Sequence, residues 1–240
     1  LDPDLTQSIN VGGRTRSMSV AKEAGVKRYV MASSCSVYGF SDQGDLTETS
    51  PTNPLTEYAK SMLGAEDHLF SLSGDDFVTT AFRNATVFGL SRRMRFDLVV
   101  NIMTKNAVET GKLSVTGGGM QWRPLVHVRD VARCFLHCVK QPASVVNGQR
   151  FNIGLTNIQV RPLAYLVRES LPFPVQIDMV AGTNDHRSYC VSYSKMRDVL
   201  GYKPQFDIPY GVNEIYSAIK EGGVDLGGRT STVGWYKHLI

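Results

Sequence analysis

From residue 6 onward, segments with helical periodicity alternate with short apolar, β-rich runs. Thr6 to Ala24 sets Ile9, Val20, Ala21 and Ala24 among polar residues and stops at Gly25, the residue type that most readily closes a helix. The period then changes. Arg28-Tyr-Val-Met-Ala-Ser33 reads as a buried strand of a parallel sheet. Helix, glycine turn and strand in that order make half of a βαβ unit, so the chain is expected to be α/β.

The alternation continues. Residues 40 to 55, rich in Ser, Asp, Thr, Asn and Pro, read as a loop, after which Thr56 can cap a helix from Glu57 to about Ser73. A strand is expected from Phe77 to Phe82, a helix from Arg92 to Gly111, a short extended piece from Pro124 to Val128 and a helix from Asp130 to Lys140. After Phe151-Asn-Ile153 come a helix near Leu163 to Ser170, a strand near Val175 to Val180, and helices near Lys195 to Leu200 and Gly211 to Lys220. The expected division is 1–150 as one α/β domain, 151–222 as a smaller mixed lobe, and 223–240, opening with a glycine-rich stretch, as a flexible tail.

Bulk composition removes several function classes. No apolar run approaches the ~18 residues of a membrane span, and no secretory leader opens the sequence, so the default is a cytoplasmic protein. The net charge is +4, but Lys and Arg are spread along the chain rather than gathered, and no nucleic-acid partner is expected. Four cysteines form no CxxC pair; Cys134 and Cys138, one helical turn apart, are expected as buried thiols, and no metal site is expected.

The carboxyl end of the first strand runs into Ser33-Ser34-Cys35-Ser36-Val37-Tyr38-Gly39, where an open α/β sheet places its ligand crevice. Tyr58 follows on the first turn of the next helix. Taken singly, the serines suit a turn and the tyrosine suits packing. Together, Ser34 with Val-Tyr-Gly behind it and Pro54-Leu-Thr-Glu-Tyr58-Ala-Lys-Ser resemble the catalytic strand end and Tyr-x-x-x-Lys helix of the extended short-chain dehydrogenase/reductases, of the nucleotide-sugar epimerase/dehydratase kind. Asn10-Val-Gly-Gly, Arg83-Asn-Ala-Thr-Val-Phe-Gly89, Arg123-Pro-Leu-Val-His-Val-Arg-Asp130, Arg187 and Leu200-Gly-Tyr-Lys-Pro204 fall in the same order.

This resemblance implies a Rossmann-type doubly wound parallel sheet with a smaller mixed C-terminal substrate lobe. It implies NAD or NADP as cofactor, with Asn10, Ser33, Tyr58 and the residue at position 62 on the cofactor side. Tyr58 would be the general acid/base for a sugar hydroxyl and Ser34 would hold the same oxygen. Arg123 and Arg187 would contact the diphosphate of a nucleoside-diphosphate sugar, guanidinium forks matching phosphate oxygens. Ser36, Thr86, Phe88, Arg95, Phe96 and Asp97 would lie on the substrate side. His127, among alternating valines, and Trp122 are expected to pack. The helices at 6–24 and 57–73 would form the dimer surface of a homodimer.

Two departures qualify the resemblance. The lysine that would lower the tyrosine pKa is replaced by Met62, which has neither charge nor donor. Lys60 cannot stand in, because two residues are about 200° around a helix. The second departure is the family's Gly-rich dinucleotide turn, which is not found: Gly117-Gly-Gly119 has no helix after it, and Gly12-Gly13 lies inside a helical pattern. The sheet is therefore expected to be incomplete, with roughly 80 residues of the family's pattern, two or three βαβ repeats, ahead of Leu1. The strand at 28–33 would then have an open edge. Cys35 and Ser36, where the dehydratases place acidic groups, disfavour dehydration and point to a 4-epimerase-like reaction. The rival expectation is a non-catalytic subunit or scaffold derived from the family.

Overall fold

The computed structural model describes residues 2–42, 44–181 and 188–239. In chain order the helices and strands are α1 (Pro3–Gln7), α2 (Arg14–Glu23), β1 (Arg28–Ser34), β2 (Asp45–Leu46), α3 (Glu57–Ser71), β3 (Val78–Asn84), β4 (Thr86–Phe88), α4 (Val99–Thr110), β5 (Lys112–Thr116), β6 (Trp122–His127) and α5 (Val128–Cys138). There follow α6 (Ala143–Val146), β7 (Gln149–Ile153), β8 (Thr156–Gln159), α7 (Val160–Glu169), β9 (Gln176–Val180), β10 (Cys190–Val191), α8 (Ser194–Asp198), α9 (Ile208–Lys220) and α10 (Thr232–Leu239). The alternation read from the sequence is thus an α/β fold with parallel strands.

Two compact units are interleaved along the chain. The first comprises 1–85, 131–154 and 187–203; the second comprises 86–130, 155–186 and 204–240. The break at 85/86 has a local cause: β3 ends at Asn84 and β4, starting two residues later, joins a different sheet.

In the first unit, β1, β3 and β7 form a parallel sheet in that order, with Ser33 opposite Arg83 and Ser34 opposite Asn84. Among the described residues β1 pairs on one side only, leaving the open edge expected for it. A second parallel pair joins β10 to β2. Met18 from α2, Met31 from β1, Ala65 and Leu69 from α3 and Ala81 from β3 make one core cluster. The N-terminal helical pattern is interrupted: between α1 and α2, Ser8 to Gly13 form a π-helical turn. The helix then closes at Gly25, whose φ of 77° is open to glycine without a Cβ penalty.

In the second unit, β4 and β6 are parallel and β8 is antiparallel to β6, while β5 and β9 form a separate parallel pair. Its main core gathers Val100, Met103 and Ala107 of α4, Leu113 and Val115 of β5, Leu163, Ala164 and Val167 of α7, and Ile208 and Val212 of α9. The helix expected from Arg92 starts only at Val99. Asn101 is the reason: its side chain accepts from the Gly89 N–H and donates to the Arg95 carbonyl, so the preceding loop is satisfied without helical bonds. The segment expected as a flexible tail carries a 3₁₀ turn at Gly228–Thr230 and α10, and the Phe96 N–H donates to the Thr230 carbonyl. No helix among the described residues is long and apolar enough to cross a membrane.

Candidate functional site

The site begins with a helix cap. Thr56 is extended, and its hydroxyl accepts from the Ala59 N–H at 3.1 Å, which starts α3 one residue before Tyr58. Tyr58 is therefore on the first turn, and it is 46% exposed. At the end of β1, Ser34 is extended and its Oγ accepts from the Ser36 N–H at 3.1 Å. That bond occupies one Ser34 lone pair and leaves its hydroxyl proton to donate. Both side chains belong to the first unit.

Met62, one turn after Tyr58, is fully buried. It lies in a cluster with Cys35, Val37, Tyr38, Leu46, Tyr189 and Val191. Apolar walls of this kind suit a thioether and oppose an ammonium group.

Cys35, between Ser34 and Ser36, is also buried, and its thiol donates to the Arg83 carbonyl at 3.0 Å. Burial pushes that thiol well above its ordinary range, against the pull of Arg83. It supplies no acid or base at neutral pH.

Beneath the strand end lies a charged network for which the sequence reading had no counterpart. Glu66 Oε1 accepts from Ser33 Oγ at 2.5 Å and from Arg83 Nε at 3.0 Å, while Oε2 accepts from Arg83 Nη2 at 2.8 Å and Arg150 Nε at 3.0 Å. Arg83 Nη1 donates to the Tyr38 hydroxyl, which donates in turn to Asn152 Oδ1. Burial raises the Glu66 pKa, but the hydrogen bonds and charge of Arg83, with those from Ser33 and Arg150, outweigh it and hold the carboxyl below its usual range. The Tyr38 hydroxyl is pushed up to about 12, chiefly by burial. A signal for the network was present: Glu66 falls in the buried stripe Met62, Ala65, Leu69 of α3, where an acid needs a cation.

The remaining expected site residues are placed as follows. Ser33 is buried and its hydroxyl donates to Glu66. Asn10 sits in the π-helical turn, and its side-chain oxygen accepts from Arg14 Nη1 at 3.3 Å. In the second unit, Thr86 is half-buried on β4, opposite Leu125. Phe88 and Phe96 are buried in two core clusters. Arg95 is held in a two-pronged pair by Asp97, at 2.8 and 3.0 Å. Arg123 on β6 donates to the Trp122 carbonyl. Trp122, expected to pack, is 38% exposed. His127 is buried against Glu214, as a packed histidine should be. Arg187 lies outside the described residues.

Met62 has no donor for a ribose, and the Ser33 hydroxyl and Asn10 oxygen have partners within the chain. Among the described residues, Gly117–Gly119 lead from β5 through a 3₁₀ turn to β6, not into a helix whose N-terminus could face a pyrophosphate.

Comparison with known proteins agrees with the fold. A model described as the NAD dependent epimerase/dehydratase family matches residues 1–154. The UDP-glucose 4-epimerase of Mycolicibacterium smegmatis is 27% identical over 88% of this chain and 68% of its own length. The dTDP-D-glucose 4,6-dehydratase of Homo sapiens is 25% identical over 89% of this chain and 62% of its own length. Among solved structures, MoeE5 in complex with UDP-glucuronic acid and NAD is 25% identical with a TM-score of 0.77, covering 89% of this chain and 71% of that one. A UDP-glucose 4-epimerase from Thermotoga maritima shares the fold at a TM-score of 0.79, with 23% identity over 92% of this chain and 72% of that one. The chain belongs to the NAD dependent epimerase/dehydratase family.

Proposed function

We propose that this chain supplies the sugar-holding and proton-transfer part of an enzyme acting on a nucleoside-diphosphate sugar, of the 4-epimerase rather than the 4,6-dehydratase kind. The observations that carry it are a half-exposed Tyr58 on the capped first turn of α3 and Ser34 at the carboxyl end of β1, its hydroxyl proton left to donate. Tyr58 exchanges a proton with a sugar hydroxyl, and the Ser34 hydroxyl donates to the same oxygen. Dehydration needs a further acid and base next to Ser34; the buried, bonded Cys35 thiol provides neither.

Arg123 and Arg187 are the candidates for the diphosphate, whereas Arg95 is the weaker one because Asp97 already holds its fork. NAD or NADP would supply the redox step. Dimerisation belongs to the same reading: Leu5, Ile9 and Val20 on the N-terminal helical segment are exposed apolar residues suited to a partner helix.

Met62 favours a second reading, a binding or scaffold subunit, because the residue that would activate the phenol is absent and its place is sealed by apolar side chains. The test is the thermal midpoint of the 240-residue chain with UDP-glucose, dTDP-glucose and NAD⁺ in turn, since a ligand of the folded state raises it with occupancy. A rise with a sugar nucleotide and none with NAD⁺ is expected. No rise with either sugar nucleotide would sink both the enzyme and the binding reading.

A further inference from the structure

We propose that Glu66 is a positioning residue for the Tyr58 and Ser34 pair, acting through Ser33. This rests on the functional reading above. Glu66 lies eight residues after Tyr58 on the same helix, about 12 Å along its axis. Its side chain is 1% exposed. A carboxylate offers about four lone-pair sites, and here one donor comes from β1, two from β3 and one from β7. Those are the three strands of the parallel sheet in their spatial order. One carboxylate therefore fixes α3 against every strand of that sheet.

The contact to β1 is the informative one. The Glu66–Arg83 pair would tie α3 to β3 without any help from Ser33. The Ser33 hydroxyl adds a short, charge-assisted bond at 2.5 Å to the residue directly before Ser34. The Ser33 carbonyl is held as well, accepting from Asn84 Nδ2 at 3.3 Å. Held at both its side chain and its carbonyl, Ser33 leaves the peptide that carries Ser34 little freedom to slide or rotate relative to α3. The geometry needed to aim two hydroxyls at one sugar oxygen is of this kind, where a misplacement of an ångström costs rate rather than affinity.

Ser33→Ala separates positioning from stability, because it removes this one bond and leaves the Glu66–Arg83 and Glu66–Arg150 contacts in place. The full chain is labelled with ¹³Cζ-tyrosine, and the Tyr58 signal is assigned with Tyr58→Phe. Ser33→Ala is expected to move the Tyr58 resonance by more than its linewidth, while Ser33→Thr, which keeps the hydroxyl, returns it towards the wild-type position. A Tyr58 resonance unmoved in Ser33→Ala, whatever happens to the thermal midpoint, overturns the proposal and makes the bond purely structural. A wild-type chain that does not bind UDP-glucose sinks the functional reading alone, because the Tyr58 signal still reports on position.

Discussion

His127 Nε2 lies 2.7 Å from Glu214 Oε1, joining the end of β6 to α9 within the second unit. The Arg129 N–H donates to the other imidazole nitrogen, so in the neutral ring the proton sits on Nε2 and points at the carboxylate. Glu214 also accepts from the Leu90 N–H at 2.6 Å and pairs with Arg129 at 3.1 Å. Glu214→Ala strands the buried His127 donor and the half-buried Leu90 N–H and is expected to cost about 3 kcal/mol in urea unfolding. Gly89 has a φ of 106°, and His127 and Glu214 occupy the place a Cβ would take, so Gly89→Ala should cost at least about 2 kcal/mol in urea unfolding.

Breaking the Arg83–Glu66 pair by Arg83→Met leaves a buried carboxylate without its main partner, at an expected cost of about 3–5 kcal/mol. The pH dependence follows from the sign of the shift. Glu66 titrates lower in the folded chain than in the unfolded one, so its ionised form stabilises the fold above about pH 4.3, the unfolded value. That contribution fades as pH falls towards the folded pKa. Wild type should lose stability with acidification in this window more steeply than Glu66→Gln, as read from denaturation midpoints at each pH.

Met62→Lys would be expected from the family pattern to restore the missing cation. The cluster of Cys35, Val37, Tyr38, Leu46, Tyr189 and Val191 around position 62 predicts instead a loss of about 3 kcal/mol, because an ammonium there is buried without a partner. Met62→Leu should cost less than about 1.5 kcal/mol. A Lys variant as stable as wild type, by chemical denaturation, would show that this side has room for the lysine to reach a partner.

Thiol reactivity should follow burial. Cys35, Cys134 and Cys138 are buried and Cys190 is partly open. Burial also raises Cys35, Cys138 and Cys190 above their ordinary range. Mass spectrometry after mild alkylation at neutral pH should find at most one modified thiol per native chain, at Cys190, and four after denaturation.

Much of the first unit was legible locally. Thr56 as cap, Gly25 as stop and the run Arg28 to Ser33 each fall where expected, because capping and short apolar runs are fixed by residues a few positions apart. What escaped is small or non-local. β2 and β10 are two-residue strands that exist because Asp45–Leu46 meets Cys190–Val191 far along the chain. The late start of α4 depended on where the Asn101 amide found its partners.

The sequence by itself determined the α/β alternation and the family, since periodicity, caps and motif order are properties of neighbouring residues. It also showed that position 62 holds no cation. Only the tertiary structure decided that this position is sealed by side chains from β2, β10 and the turn after β1. Only it decided, too, that Ser33 faces Glu66 and that Glu66 gathers β1, β3 and β7. A buried carboxylate is stable only where distant donors converge on it, and no spacing along the chain encodes that convergence.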